Sequence, residues 1–167
     1  MPKNVKGDLT VEGSVIVQAP KEYVMGVAGA KVGSAAGWTL AAASDLYLAT
    51  IAASQSAAKL VIGVQIPLRI GQKIIGFKLV GELVSAGNAV TFDCDLRKGT
   101  SAAGSVTDAS IATMTQLSAT ASAIITAGKT GFSAVVTAGC NYYFVITTTT
   151  GASCSAILQG LTVTVQD

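Results

Sequence analysis

Residues 88–98 read NAVTFDCDLRK. Val90, Phe92, Cys94 and Leu96 alternate with Thr91, Asp93, Asp95 and Arg97. Side chains of a strand point to opposite faces in turn, so this stretch is a half-buried β-strand. Working upstream, QKIIGFKLVGEL (72–83) puts Ile75, Phe77, Leu79 and Leu83 on one face, with Lys78 and Glu82 on the other. KLVIGVQIPL (59–68) aligns Leu60, Ile62, Val64 and Ile66, and DLYLATIAA (45–53) is apolar on both parities. Downstream, FSAVVTA (132–138), CNYYFVITTTT (140–150) and SAILQGLTVTVQ (155–166) continue the series. Residues 99–128 are small, polar and weakly patterned, and read as a long loop with a strand near IATMTQL (111–117).

Glycine marks the joints. IGQ (70–72), SAGN (85–88), TAGK (126–129), TAGC (137–140) and TGAS (150–153) place it where φ can be positive. Short strands, regular turns and no helical periodicity predict an all-β fold: a β-sandwich or barrel of roughly eight antiparallel strands over residues 45–167. Residues 23–44 are rich in Gly and Ala, and Gly26, Gly29, Gly33 and Gly37 recur too often for a helix. They read as a connector, with Trp38 a hydrophobic anchor and, like Tyr142 and Tyr143, a candidate interface or glycan contact, or else a core residue. Residues 1–22 read as an N-terminal arm. There GDLTVEGSVIV (7–17) alternates Leu9, Val11, Val15 and Val17, with Ile16 between the last two. These five are the expected partner-binding residues; the alternative is that the stretch is simply the first strand of the sandwich.

Composition bounds the function. A chain of 167 residues forms one domain able to bury about 70% of its unfolded surface, without a metal or disulfide staple. Charged residues are only 12% of the chain, aromatics 5%, and the net charge is +2. Lysines are scattered singly, which argues against nucleic acid as a partner, because phosphate neutralisation needs a concentrated basic patch. The charge-free stretches 109–128 and 130–166 carry too much Ser, Thr, Asn and Gln for membrane helices. No apolar leader opens the sequence. A neutral surface of this kind suits coverage by other copies or partners; an ordinary sandwich with Thr-rich outer faces is the alternative. The cysteines, Cys94, Cys140 and Cys154, are odd in number and far apart, and there is no histidine. Buried thiols in a reducing cytosol fit better than a disulfide framework or a zinc site.

Chemistry is sparse. Asp93 and Asp95 share a strand face at about 6–7 Å, a spacing open to a cation or to acid–base work. Arg97 and Lys98 follow at once, however, and a charge-balanced solvated face accounts for the pair. Without histidine there is no Ser-His-Asp or Cys-His arrangement. GKTG (128–131) lacks the upstream glycine of a phosphate loop. No catalytic residue, metal or cofactor is expected. Tyr142 and Tyr143 are adjacent, so one faces the core and the other is free for an interface or for stacking on a sugar.

GDLTVEGSVIV resembles the short strands of tailed-phage appendages and capsid-attached proteins. IPLRIGQKIIGFKLVGE, VVTAGCNYYFVITT and ILQGLTVTV resemble strands of phage virion jelly rolls. The resemblance makes the sandwich jelly-roll-like and implies a non-enzymatic virion protein made in the host cytoplasm. It would bind the capsid exterior as a homotrimeric decoration or cement protein, with the major capsid protein or other virion proteins as partners. The alternative it leaves open is a head-fibre or tail-appendage subunit recognising host glycans through Tyr142, Tyr143 and the 99–128 segment. In either case the arm would add a strand to a neighbouring chain. Eleven residues of strand reach about 35 Å.

Overall fold

The alternation at 88–98 belongs to a far longer strand. The computed structural model describes residues 18–33, 37–43 and 46–167. Within them β6 runs from Lys73 to Ala102. On one side it pairs antiparallel with β10 (Cys140–Thr150) along its second half and with β11 (Ser155–Gln166) along its first. On the other side β7 (Ser105–Thr113), β8 (Leu117–Ile125) and β9 (Gly128–Val135) return along its whole length. β5 (Ala58–Gly63) extends the sheet beyond β10, and β2 (Lys31–Val32) lies beyond β5. β1 (Lys21–Gly26) and β4 (Leu46–Ile51) share the outer edge of β11, and β3 (Trp38–Ala43) flanks β4.

This ribbon cannot be flat. Val135 pairs with Lys73 and Cys140 with Thr100. Fully extended, β6 between Lys73 and Thr100 would span about 90 Å, yet the link from Val135 to Cys140 reaches at most about 18 Å. The ribbon therefore folds over, and the two halves of β6 lie in facing layers. The fold line falls at residues 84–89, where the register with β8 slips twice and Gly87 takes φ +89°. The first layer holds β1, β3, β4, β11, the first half of β6, β9 and the end of β8. The second holds β2, β5, β10, the second half of β6, β7 and the start of β8. Among the described residues the fold is an antiparallel β-sandwich without helix, as the alternation predicts, and its folded ribbon is jelly-roll-like.

Residues from both layers close the core. Phe77 of the first layer packs edge-on against Phe144 of the second at 5.1 Å, and Trp38 meets Phe92 at 6.2 Å. Phe92, Phe144, Leu60, Ile62, Leu79, Leu83 and Ile146 are all buried. Each such side chain contributes about 1.5–3 kcal/mol by leaving water.

Several expectations change. The structure has eleven strands among the described residues rather than eight. The stretch 23–44, read as a connector, carries strands: β1 borrows its hydrogen bonds from β11 and β3 from β4, so pairing overrides its glycine content. Residues 99–128 are not a long loop but the hairpin from β6 into β7 and the whole of β8. SAGN and TAGK are not hairpin turns. The first marks the fold of β6, and the second joins β8 to β9 along the same edge. Ile75 is half-buried and Ile74 takes the core position, because the ladder to β11 slips between Thr164 and Val165 and inverts the phase. The arm residues Leu9, Val11, Val15, Ile16 and Val17 lie outside the described residues.

Candidate functional site

The outer face of the second layer carries the densest polar cluster. Alternation turns Asp93, Asp95 and Arg97 of β6 outward, as it does Tyr143, Val145 and Thr147 of β10. The hairpin into β7 brings Asp108 and Ser110 alongside. The Arg97 guanidinium donates from Nη1 to Asp95 Oδ2 at 2.7 Å and from Nε to both oxygens of Asp108 at 3.0 Å. Nη2 stands 2.8 Å from Asp108 Oδ2. Asp95 Oδ1 accepts from Ser110 Oγ at 2.6 Å and Thr113 Oγ1 at 3.1 Å. The Tyr143 hydroxyl donates to Asp108. The Arg97 bonds, then those from Tyr143, hold the Asp108 carboxyl below its ordinary range. Partial burial, then the Asp108 charge, pushes the Tyr143 phenol upward.

The two aspartates have different partners. Asp95 is matched to Arg97, and Asp93 accepts from Gln116 Nε2 at 3.0 Å. Asp95 is thus charge-paired, whereas the partner of Asp93 is a neutral amide. Among the described residues no three His, Cys, Asp or Glu side chains gather as metal ligands.

The tyrosines divide as adjacent strand residues must. Tyr142 is buried, and its hydroxyl donates to Val135 O at 2.9 Å while accepting from Thr137 N at 3.1 Å. It staples the β9–β10 turn. Tyr143 is half-buried on the outer face. Trp38 is a core residue whose Nε1 donates to Ala58 O at 3.3 Å. Cys94 is buried and Cys140 half-exposed, both free thiols. Cys154 is buried with Sγ 3.3 Å from Asn88 O.

Two depressions reach this face. One, of about 600 Å³, lies at the end of the sandwich between the 64–70 segment and the 137–141 turn, with the buried Val136 and Tyr142 in its lining, and comes to the outer face at Gly63 and Tyr143. The other, of about 340 Å³, has Val61 and Val145 among its lining, with Lys59, Arg97 and Asp108. Sequence reading found Tyr143 but missed Asp108 and Ser110, because β7 has no apolar alternation. The one available signal was AAGS at 102–105, a glycine turn like those already noted; Gly104 takes φ +81°.

The outer face of the first layer is different. Glu82 of β6 lies opposite Ile157 of β11 and Ile124 of β8, with Val80 and Val84 diagonal to both. Ile124 is 75% exposed and Val84 40%. Thr50 and Thr39 extend the rung beyond Ile157. Glu82 makes no ion pair among the described residues.

No family model matches the chain, and no curated protein does. Among solved structures it is similar to the CBM22-1–GH10 modules of Clostridium thermocellum endo-1,4-beta-D-xylanase 10B, determined with xylohexaose. That match has 13% identity and TM-score 0.48, over 89% of this chain and 28% of the other. It is also similar to the enzymatically active domain of bacteriophage CBA120 tailspike protein 4, at 12% identity and TM-score 0.39, over 81% of this chain and 19% of the other. The chain thus spans under a third of either structure's length. Neither likeness bears on what this chain binds.

Proposed function

We propose that the chain is a non-enzymatic virion structural protein that binds the exterior of a phage capsid, as a homotrimer, and stabilises the shell by interface burial. The observation that carries this reading is the apolar cluster of Val80, Val84, Ile124 and Ile157 around Glu82, set outward on a sheet face. A face of this composition gains by being covered, and each Ile or Val fully buried adds about 1.5–3 kcal/mol. Glu82, without an ion-pair partner of its own among the described residues, supplies the charge that would set register against a basic residue of the capsid. Low charge overall and the phage-like segment at 7–17 support the same reading. Three linked copies would hold a shell with avidity well above one.

The test is addition of purified protein to preformed shells, with bound protein and shell resistance to heat measured together. Saturating protein should raise the rupture temperature. Ile124→Asp should abolish binding while the free protein stays folded. Shells that bind the protein but rupture at their original temperature would sink the cementing role. Binding indifferent to Ile124→Asp would move the attachment surface elsewhere.

A further inference from the structure

The two depressions touch one rung of the second layer, Gly63–Tyr143–Arg97: the larger comes to it from the end of the sandwich at Gly63 and Tyr143, the smaller along the outer face at Arg97. The Tyr143 ring is fixed on both counts that matter. Its hydroxyl is tied to Asp108, and its Cε1 stands 3.6 Å from where a Cβ at Gly99 would lie, so that flank is packed. The opposite flank is open, since a Cβ at Gly63 would meet nothing within 4 Å. An immobilised aromatic ring therefore stands beside an empty slot floored by backbone. The next rung, Val61–Val145, continues that floor into the smaller depression, where Lys59, Arg97 and Asp108 supply the polar groups.

The polar groups are prearranged and balanced. Arg97 has five N–H donors, and its Nε, Nη1 and Nη2 each commit one to Asp95 or Asp108, which leaves two. Arg97 and Lys59 are offset by Asp95 and Asp108, and Asp93 adds a further carboxylate along the same face, so the face carries donors and acceptors without an excess of cations. A polyanion needs an excess of donors, and an acyl chain has no use for the network. An extended peptide pairs best with an open strand edge, whereas these groups lie on a sheet face. A ligand with apolar C–H faces and hydroxyls that both donate and accept matches every element.

The geometry points to a binding site for an uncharged linear saccharide, laid across Tyr143 from one depression to the other. This goes beyond the assembly role and uses the opposite side of the sandwich, so either can fail alone.

The probes are neutral linear hexasaccharides of glucose, xylose and N-acetylglucosamine, with a sulfated hexasaccharide and an unstructured hexapeptide as contrasts. Each is titrated calorimetrically into the full chain. At least one neutral hexasaccharide should bind. Tyr143→Ala should weaken it at least tenfold, and Tyr143→Phe, which keeps the ring, far less. Gly63→Val, whose Cβ meets nothing within 4 Å, should weaken it at least tenfold with the melting temperature retained. Ile124→Ser on the other layer should change nothing. Failure of every neutral hexasaccharide at millimolar concentration overturns the site, as does preference for the sulfated sugar or the peptide. So does binding that survives Gly63→Val.

Discussion

Thr148 and Thr150 stand two residues apart on β10, both inward and both buried, yet their hydroxyls have opposite fates. Thr150 Oγ1 donates to Ala52 O at 2.7 Å and accepts from Gln55 N at 3.0 Å. Thr148 Oγ1 has no hydrogen-bond partner, and Thr148 pairs across the ladder with Phe92 and Ala58, both fully buried. A buried polar group without a partner costs about 1–3 kcal/mol. Thr148→Val removes that cost, keeps the β-branched shape and adds apolar surface, so it should stabilise the protein by about 1–2 kcal/mol. For a chain of this size that is a rise of about 2–8 °C in Tm. Thr150→Val removes two hydrogen bonds worth about 0.5–1.5 kcal/mol each and should destabilise. Urea denaturation of the two variants, at unchanged m-value, should separate them by about 2–4 kcal/mol with opposite signs relative to the parent. If both move the same way by similar amounts, hydroxyl satisfaction does not govern this strand and the reasoning fails.

Three further outcomes follow from the same geometry. The hydroxyls of Thr100 and Thr137 hold the Cys140 thiol below its ordinary pKa while burial pushes that of Cys94 up, so alkylation of the native protein should reach Cys140 first, with its rate midpoint below that of a cysteine peptide; Cys94 labelling at an equal rate would refute this. Asp108 has a depressed folded pKa, so its stabilisation is fully present above the ordinary Asp value near 3.9 and lost as pH falls through the folded value. Asp108→Asn should flatten the acid limb of the stability–pH curve, and an unchanged limb would place the acid sensitivity elsewhere. Tyr142→Phe loses the bonds to Val135 O and Thr137 N and should lower stability by about 1–2 kcal/mol, measured by thermal denaturation, whereas a neutral result would show that the turn holds without its staple.

What the sequence made legible was the apolar alternation, and it failed wherever alternation was absent or interrupted. CNYYFVITTTT and SAILQGLTVTVQ coincide with β10 and β11 because their inward residues are large enough to mark the face. β7 and β8 escaped notice because Ser, Thr and Ala fill both of their faces. Their strand character comes from pairing with β6, a long-range cause that no local window contains. Ile75 was assigned inward because a period of two cannot register a bulge, and Ile75 is itself the extra residue, left between Gly76 opposite Thr164 and Ile74 opposite Val165. The polar cluster was half legible. Asp95 and Arg97 share a face by spacing alone, but Asp108 reaches them only through the hairpin, and Tyr143 only through β10.

The fold-over of β6 is what gives the two outer faces their independence. One strand runs through both layers, so Glu82 and Arg97, both outward on β6, end on opposite sides of the sandwich. Facing sheets stand about 10 Å apart, and side chains at Phe77, Phe144, Trp38 and Phe92 fill the gap. A chain held to a surface through Ile124 and Ile157 therefore turns Tyr143 and Arg97 away from it. The proposed attachment and the proposed saccharide site do not compete for surface, and occupation of one leaves the other open. That arrangement follows from where a single strand bends, at residues 84–89, more than from any one contact.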